Sequence, residues 1–320
     1  MTKNGYILSI DQGTTSSRAA LISQDGNIIC QKNIEFKQYF PGNGWVEHNP
    51  NDILKSTIDC IKYVINQSKV SPQEIITAGI TNQRETIVAW DKKSGNPIYN
   101  AIVWQDRRTE DICENLRERN LQDMIQQKTG LIIDPYFSAS KIKWILENVE
   151  QAKSLLASND LLVGTIDTWL IWKLTKEQRH FTDVTNASRT MIFNIINDCW
   201  DDELLNIFDI PKEILPEIKN SMDDFGVISS NFFGSEIPIC GVAGDQQAAA
   251  FGQLCNKKGM IKSTYGTGCF MLMNTGSEIY QSQNKLLSTT AFKVHDKKLY
   301  ALEGSIFNAG TTVQWMRDEL

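Results

Sequence analysis

The sequence predicts an α/β protein built around a mixed β-sheet. Strand-like apolar runs and segments with helical periodicity are mixed along all 320 residues. Two glycine-rich stretches, "DQGTTSSRA" from residue 11 and "STYGTGCF" from residue 263, each lie between two strand-like runs. These observations favour a sheet whose tight turns carry polar groups.

The opening of the chain is predicted to be an antiparallel meander. Apolar runs at 6–11 and 18–23 have strand length, "DGN" at 25–27 marks a turn, and a third strand covers 28–36. A Walker phosphate loop would read GxxxxGK[ST] and lead into a helix. Because the first glycine-rich turn lacks that lysine and leads into a strand, it is not a Walker loop.

The remaining segments alternate between the two periodicities. The predicted helices are 49–67, 105–119, 141–149, 168–175, 246–254 and 308–320. The predicted strands are 74–82, 86–91, 98–104, 188–195, 237–245, two strands around a turn within 259–276, 287–294 and 298–303.

Composition and charge exclude several classes of protein. A net charge of −6 and a pI near 5.3 argue against a nucleic-acid-binding protein. Apolar runs are too short for a membrane span, and the N-terminus lacks a signal-peptide pattern. The seven cysteines are scattered without a CxxC pair, which favours a reducing cytoplasm over a zinc site or disulfides. The three histidines do not cluster, and His48 is predicted to be structural.

Each glycine-rich turn is a candidate phosphate site, because converging backbone N–H groups bind anions. In the first turn, Gly13 allows a conformation with positive φ. Asp11 is placed to hold Mg²⁺ through water. The further donors of this turn are Thr14, Thr15, Ser16, Ser17 and Arg18. The alternative is a plain hairpin with a polar tip, but two such turns together are typical of actin-like ATPases, which include chaperones and sugar kinases.

Four further stretches narrow the choice: "GITNQRETIVAWD" at 79–91, "AIVWQDRRT" at 101–109, "GLIIDPYFSASKIKWIL" at 130–146 and "GVAGDQQAAAFGQL" at 241–254. With "GWVEHNP", "TNASRTMIFNI" and both turns, they resemble the FGGY family of carbohydrate kinases, and within it the members that phosphorylate glycerol. The resemblance extends over residues 6 to 320. It implies an actin-like ATPase (ribonuclease H-like) fold with a mixed sheet, with a complete first domain at 1–250 and an incomplete second domain at 251–320.

The resemblance also implies an activity: transfer of phosphate from ATP, with Mg²⁺, to glycerol, giving sn-glycerol 3-phosphate. Asp245 would be the general base, and Asp11 would hold the metal through water. The glycerol-binding residues would be Arg84, Glu85, Trp104, Tyr136, Asp245, Gln246 and Phe270. The nucleotide-binding residues would be Thr14, Thr15, Ser16, Arg18, Thr267, Gly310 and Gln314. A cytoplasmic protein that forms a homo-oligomer when full length is implied as well, with no nucleic-acid partner and no membrane span.

Each assignment has a simpler alternative. Arg84 and Glu85 would be an ordinary surface ion pair, Trp104 a core residue and Tyr136 a turn residue. Asp245 would be a helix cap, a role that aspartate fills well.

The sequence also departs from the family in two places. Family members continue past residue 320 with the glycine-rich segment that holds adenosine. We therefore expect exposed apolar surface and inefficient ATP turnover from this chain alone. At 234–236 the chain has Gly-Ser-Glu where some members bind fructose 1,6-bisphosphate through an arginine, so inhibition by that compound is not expected.

Three other functions stay open at this point. The chain would be a kinase for another sugar such as a pentulose or erythritol, an inactive fragment that at most binds glycerol, or a chaperone-like ATPase. Trp104 and Phe270 favour a small pocket, and the Arg84–Glu85 pair has no purpose in a chaperone.

Overall fold

The computed structural model describes residues 5–266 and 268–320, without the side chains at 311, 314, 318 and 319. The strands, in chain order, are β1 (Tyr6–Gln12), β2 (Ser16–Ser23), β3 (Ile28–Glu35), β4 (Gln38–Tyr39), β5 (Glu47–His48), β6 (Ile75–Asn82), β7 (Ile87–Asp91), β8 (Ala101–Ile102), β9 (Leu161–Thr165), β10 (Phe181–Asp183), β11 (Phe193–Asn194), β12 (Cys199–Trp200), β13 (Glu217–Lys219), β14 (Val227–Ile228), β15 (Ile237–Gly244), β16 (Ile261–Tyr265), β17 (Cys269–Gly276), β18 (Leu287–Val294) and β19 (Lys297–Ile306).

The helices lie between these strands and at the end of the chain. They are α1 (Pro50–Ser68), α2 (Glu110–Glu118), α3 (Gln122–Thr129), α4 (Ser138–Asn148), α5 (Glu150–Ala157), α6 (Ile166–Leu174), α7 (Val184–Ala187), α8 (Asp202–Phe208), α9 (Ser230–Phe233), α10 (Asp245–Gly252) and α11 (Gly310–Glu319), with short 3₁₀ turns at Pro72–Glu74 and Lys212–Ile214.

The first sheet is mixed, as predicted, with the strand order β14-β15-β6-β1-β2-β3. The meander β1-β2-β3 is antiparallel, whereas β1, β6 and β15 run parallel to one another. The carboxyl ends of parallel strands meet at one edge of a sheet. The first glycine-rich turn, Arg84 and Asp245 follow β1, β6 and β15 directly, so all three are delivered to the same edge.

Two further sheets complete the frame around that edge. One has the order β4-β5-β8-β7-β9, and helices α2 to α5 and α8 pack against its core. The other, which we call the second sheet, is antiparallel with the order β16-β17-β19-β18. Phe270, Leu287 and Tyr300 of the second sheet are buried in the core of the preceding layer. The second sheet therefore packs against the rest of the described chain.

The structure corrects the predicted strand at 188–195. Only Phe193–Asn194 pairs as a strand, because hydrogen-bonded turns follow α7 and Met191 has a φ of 67°. The segment's polar residues are buried for another reason, which is that Arg189 enters an ion network described below.

Other boundaries also differ from the expectation. Pairing in 98–104 is limited to Ala101–Ile102, and the helix predicted at 105–119 begins at Glu110. Strand β9 and helices α3, α5 and α8 had no counterpart among the predicted elements. The proposed division at residue 250 stays a prediction.

The outer side of the second sheet and α11 expose apolar side chains, among them Tyr265, Val313 and Trp315. The expectation of exposed apolar surface is therefore confirmed. All seven cysteines are free. Within the described ranges, none of the helices has the length and apolarity that crossing a membrane requires.

Candidate functional site

A cavity of about 150 Å³ opens where the first sheet, the aromatic side chains and the second sheet meet. All seven residues predicted to contact a polyol line it, together with parts of both glycine-rich turns. The lining residues are Thr14, Arg84, Glu85, Trp104, Tyr136, Asp245, Gln246, Thr264, Gly266, Gly268 and Phe270. Residues that are far apart in the sequence thus form one polar and aromatic pocket.

Arg84 follows β6 and is almost fully buried, with 2% of its side chain exposed. Its Nη1 and Nη2 donate to the two carboxylate oxygens of Glu303 at 2.6 and 3.0 Å. Nη1 also donates to Gln247 at 3.1 Å, and Nη2 to the Tyr136 hydroxyl at 3.3 Å. Arg84 is therefore a buried hub and not a member of a surface ion pair.

Glu85 is equally buried and has a φ of 62°, a left-handed conformation that is uncommon for glutamate. Its carboxylate accepts a hydrogen bond of 2.6 Å from Nε of Arg189, whose Nη2 donates to Glu303 at 2.9 Å. Burial raises the pKa of the Glu85 carboxyl, and the charges of Arg84 and Arg189 act in the opposite direction. The backbone at Glu85 is held in this strained form by a network of buried charges.

Aromatic rings form the apolar wall of the cavity. The ring of Trp104 makes edge contacts with Tyr136 and Phe270, at centroid distances of 5.7 and 5.9 Å. Phe307 packs on Tyr136 and Trp104 at 4.9 and 5.9 Å. Such contacts are typical of stable aromatic clusters. The wall is suited to the carbon edge of a small polyol.

A buried lysine fixes the backbone around Tyr136. The ammonium group of Lys141 donates to the carbonyls of Pro135, Tyr136 and Phe137. Burial lowers the pKa of Lys141 to about 8. Three consecutive carbonyls thus converge on one cation, and this turn aims Tyr136 at Arg84.

Asp245 is the first residue of α10 and faces the cavity, with 34% of its side chain exposed. Gly244 occupies the N-cap position of the helix and Asp245 is its first helical residue, so Asp245 is not the N-cap residue. Oδ1 lies 3.3 Å from Nε of Arg84 and accepts from the backbone N–H of Gln246 at 2.7 Å. Desolvation in the cleft raises the pKa of Asp245, which Arg84 opposes. A carboxylate with a raised pKa in a cleft is a candidate general base.

Gly244 is needed for packing and not for a special backbone conformation. Its φ is −57°, within reach of any residue. A Cβ atom there would lie 2.6 Å from Cδ and 2.7 Å from Cγ of Arg84. The glycine therefore leaves room for the guanidinium hub.

Gly244→Ala is expected to weaken polyol binding and to lower the free energy of unfolding by about 1–3 kcal/mol, the usual cost of overpacking. Chemical denaturation and calorimetric titration measure both. Gly252→Ala in the same helix is the control, because a Cβ there meets no atom within 4 Å. Equal effects of the two substitutions would contradict this role of Gly244.

The first glycine-rich turn is hydrogen-bonded to the aromatic wall of the cavity and closed by a hydrogen bond within its own backbone. Trp104 donates from Nε1 to the hydroxyl of Thr14 at 2.9 Å. The backbone N–H of Gly13 donates to the Ser16 carbonyl at 2.9 Å. Gly13 is not among the glycines with positive φ, so the turn does not use that freedom of its backbone; a Cβ would instead crowd the Ser16 carbonyl at 3.3 Å. Thr15 and Arg18 are exposed, and Ser16 is half-buried.

A chain of side-chain hydrogen bonds supports this turn. Gln38 donates to the Thr14 carbonyl at 3.1 Å and pairs with Nε2 of His48 at 2.6 Å. The amide of Gln83 donates to Gln12 and lies 3.4 Å from Nδ1 of His48. A neutral imidazole with Nδ1 as acceptor fits these partners, and burial lowers the pKa of His48 to about 3. His48 is structural, as predicted.

His48 makes stability depend on pH in a defined direction. Below its ordinary pKa of 6.5 the unfolded chain binds a proton that the folded chain does not bind until about pH 3. Stability from His48 is therefore complete above pH 6.5 and is lost as the pH falls toward 3, by about 1.4 kcal/mol per pH unit. Denaturant titrations between pH 7 and 4 should show a steeper loss for the wild type than for His48→Gln.

His180, whose pKa burial lowers to about 4, and Asp167, whose pKa burial raises to about 7, titrate in the same window. Their contributions cancel in the comparison of the two slopes, because both proteins retain these groups. Identical slopes would show that His48 is not held neutral.

The second glycine-rich turn faces the same cavity through Gly266 and Gly268. Gly310, at the start of α11, donates its N–H to the Gly266 carbonyl at 2.9 Å. The predicted nucleotide residue Thr267 lies outside the described residues, and so does the side chain of Gln314. The two turns thus approach the cavity from the first and the second sheet.

Asp11 lies at the end of β1 opposite Arg18 of β2. Burial raises the pKa of Asp11, and the Arg18 charge opposes this. Asp245 and Asp11 are close enough for the Asp11 charge to raise the pKa of Asp245. Among the described residues there is no cluster of three or more metal-ligating side chains. Asp245 lines the cavity and Asp11 does not, so the carboxylates present suit a Mg²⁺ ion that keeps most of its waters and do not form an all-protein cage.

Comparison with known proteins places this chain in a family. A sequence model described as the N-terminal domain of the FGGY family of carbohydrate kinases matches residues 6–252. The chain belongs to the FGGY family. A glycerol kinase of Geobacillus sp. (strain WCH70) is 57% identical over 316 residues, which is 98% of this chain and 64% of that protein. A glycerol kinase of Bacillus subtilis (strain 168) is 56% identical with the same coverage.

The solved structures agree on the fold. The crystal structure of Plasmodium falciparum glycerol kinase with ADP matches with a TM-score of 0.92 and 40% identity, over 98% of this chain and 63% of that one. A xylulose kinase of Lactobacillus acidophilus, at 23% identity and a TM-score of 0.85, shows the fold alone. The FGGY chain has the actin-like ATPase fold, and it spans less than two thirds of the length of these relatives.

Several groups at this FGGY site were missed by the sequence analysis. Arg189 and Glu303 complete the ion network, and Phe307 completes the aromatic wall. Lys262 is buried, donates to Oε1 of Gln246, and has its pKa lowered by burial to about 8. Arg189 lies in "TNASRTMIFNI", a stretch that resembles the family, but no role was assigned to it. Nothing in the sequence of β19 distinguishes Glu303 from the other residues of that strand.

The segment where some FGGY members bind fructose 1,6-bisphosphate lies on the surface. Gly234 ends α9 with a φ of 81°, and Glu236 is exposed. The carboxylate there would repel a phosphate group, and the absence of inhibition stays a prediction.

Proposed function

We propose that the chain carries the polyol site and both phosphate turns of an ATP-dependent kinase that converts glycerol to sn-glycerol 3-phosphate. The observation that carries the proposal is the single cavity lined by Arg84, Glu85 and Asp245 and by both glycine-rich turns. A kinase must bring an alcohol and a terminal phosphate into contact, and this cavity joins the groups suited to each.

The cavity provides for three hydroxyls and a short carbon chain. Arg84 donates to hydroxyl oxygens, Glu85 and Asp245 accept from hydroxyl hydrogens, and Tyr136 and Gln246 add further contacts. The amide oxygen of Gln246 is engaged by Lys262, so its NH₂ group is the end available to a ligand. Trp104 and Phe270 cover the carbon edge. An analogue that lacks a hydroxyl would leave buried polar groups unpaired, which gives strong selectivity.

Transfer of the phosphoryl group depends mainly on position and charge. Asp245 orients the reacting hydroxyl, and one of its carboxylate oxygens accepts the proton as the new bond forms. The Nε of Arg84 at 3.3 Å fixes that carboxylate. The aromatic wall and the second sheet limit the access of water, which would otherwise compete with the alcohol.

The nucleotide phosphates are assigned to the two turns, through Thr14, Thr15, Ser16, Arg18, Thr267, Gly310 and Gln314. Mg²⁺ is assigned to Asp11 through water, and when bound it would neutralise charge on the phosphates. Cytoplasmic location, homo-oligomeric assembly and independence of nucleic acid remain predictions that follow from the resemblance.

Calorimetric titration of the 320-residue chain with glycerol, xylulose and gluconate tests the proposal. Glycerol should bind at one site and at least tenfold more tightly than either larger compound, because a wrong shape leaves buried charges unpaired. Preference for xylulose or gluconate would favour another FGGY activity. Absence of glycerol binding by a folded chain would overturn the proposal.

A further inference from the structure

Glu303 lies on β19 of the second sheet, yet both of its arginine partners come from outside that sheet. It accepts two hydrogen bonds from Arg84 and one of 2.9 Å from Arg189. Ser305 donates to the same carboxylate at 3.1 Å. The Glu303 side chain is fully buried and is not among the residues that line the cavity. Any effect of Glu303 on a ligand must therefore pass through another residue.

The Glu303 carboxylate compensates the positive charges of two buried arginines. Arg84 lies close enough to Arg189 for its charge to oppose the raised pKa of Arg189, and both side chains are buried. Burial raises the pKa of Glu303, but the charges of Arg189 and Arg84 outweigh that effect and hold the pKa at about 2. Glu303 is thus ionised throughout the physiological range, and it binds both guanidinium groups at once.

The hydrogen bonds of Arg84 show what Glu303 determines. Nη1 is used by Glu303 and Gln247 at 2.6 and 3.1 Å. Two longer contacts, each of 3.3 Å, join Nη2 to the Tyr136 hydroxyl and Nε to Asp245, and both of these partners line the cavity. The short bidentate bond fixes the guanidinium group, and the longer contacts mark the N–H groups that a hydroxyl ligand would share.

We propose that Glu303 is a positioning residue for polyol binding, which selects the N–H groups that Arg84 presents to the cavity. The proposal rests on the proposed function, because the ligand is taken to be a polyol. Since Glu303 belongs to the second sheet and Arg84 follows β6, the polyol site is complete only when the second sheet is in place. Arg189 donates to both Glu85 and Glu303, and it therefore fixes the position of Glu85 relative to Glu303.

A double-mutant cycle measures this coupling through the glycerol dissociation constant of the 320-residue chain. Glu303→Gln should weaken glycerol binding by about tenfold or more, as expected for a lost charged hydrogen bond. In an Arg84→Lys background the same substitution should have a much smaller effect, of about threefold or less, because the Arg84 guanidinium group is gone and only the path through Arg189 and Glu85 is left. Glu278→Gln is the control, since Glu278 is an exposed carboxylate that pairs with Lys258 before β18.

Near-ultraviolet circular dichroism and thermal unfolding show whether each variant is folded. If Glu303→Gln does not fold, Ser305→Ala carries the test, because it removes only the 3.1 Å bond to the carboxylate. It should weaken glycerol binding by about twofold to fivefold in the wild-type background and not in Arg84→Lys.

Equal effects in both backgrounds would show a general structural role and overturn the inference. An unchanged glycerol constant in folded Glu303→Gln would overturn it as well, while glycerol binding by the wild type would leave the proposed function intact. If the wild type binds no glycerol, the proposed function fails and this inference fails with it.

Discussion

Replacing Asp245 with asparagine is expected to lower the rate of phosphoryl transfer to glycerol by roughly 10²–10⁴-fold, the usual contribution of a general base. Asparagine keeps the size of the side chain and its hydrogen bond to the Gln246 N–H, but it cannot accept the proton. Asp245 is partly exposed to the cavity, and asparagine keeps its hydrogen bond to the first turn of α10, so the free energy of unfolding should change by less than about 1 kcal/mol.

The rate is measured as glycerol-dependent ADP release. The assay uses a fusion protein. It joins this chain to the remaining part of the Bacillus subtilis glycerol kinase, which has no counterpart in this chain. Asp202→Asn is the matched control, because Asp202 is also the first residue of a helix and is exposed. A rate within twofold of the wild type for Asp245→Asn would contradict the assignment of the base.

Replacing Arg84 with alanine is expected to have the largest effect on stability. It removes the cation that binds Glu303, lies near Glu85 and Asp245, and bonds to Tyr136. Breaking a buried ion pair leaves an uncompensated charge and costs about 3–5 kcal/mol. Glycerol binding should fall by about tenfold or more, from the loss of a charged hydrogen bond alone.

Denaturant unfolding and calorimetric titration measure the two effects. Arg107→Ala is the control, because Arg107 is 43% exposed and its pairs with Glu110 and Asp134 lie on the surface. Such pairs contribute about 0–1 kcal/mol. If both substitutions had equally small effects, Arg84 would not be the hub of the site.

The central part of the fold could be predicted from the sequence. The meander of β1 to β3, the parallel strands β6 and β15, helix α1 and the hairpin of β16 and β17 all have clear periodicity and turn residues. The segment at 188–195 was misassigned because apolar residues at 191–193 and 195 resemble a strand, whereas turns after α7 and the positive φ of Met191 prevent strand pairing over most of it. Polar helices such as α3 carry few apolar residues, and their positions are set by tertiary packing.

The site, too, could be predicted from the sequence only in part. Arg84, Trp104 and Asp245 were found because they stand in long motifs that resemble the FGGY family. Glu303 was missed because it lies within the regular strand β19, and its role depends on contacts with residues 219 and 114 positions away. The requirement for glycine at 244 could not be predicted from the sequence, because the packing of Arg84 against it is visible only in three dimensions.

The most direct test is a crystal structure of the chain with glycerol, grown and cooled without any other polyol. The account predicts one glycerol molecule in the 150 Å³ cavity, with its hydroxyls within hydrogen-bonding distance of Arg84 and Asp245 and its carbon edge on Trp104. A cavity without glycerol at saturating concentration, or glycerol bound only elsewhere, would contradict the account.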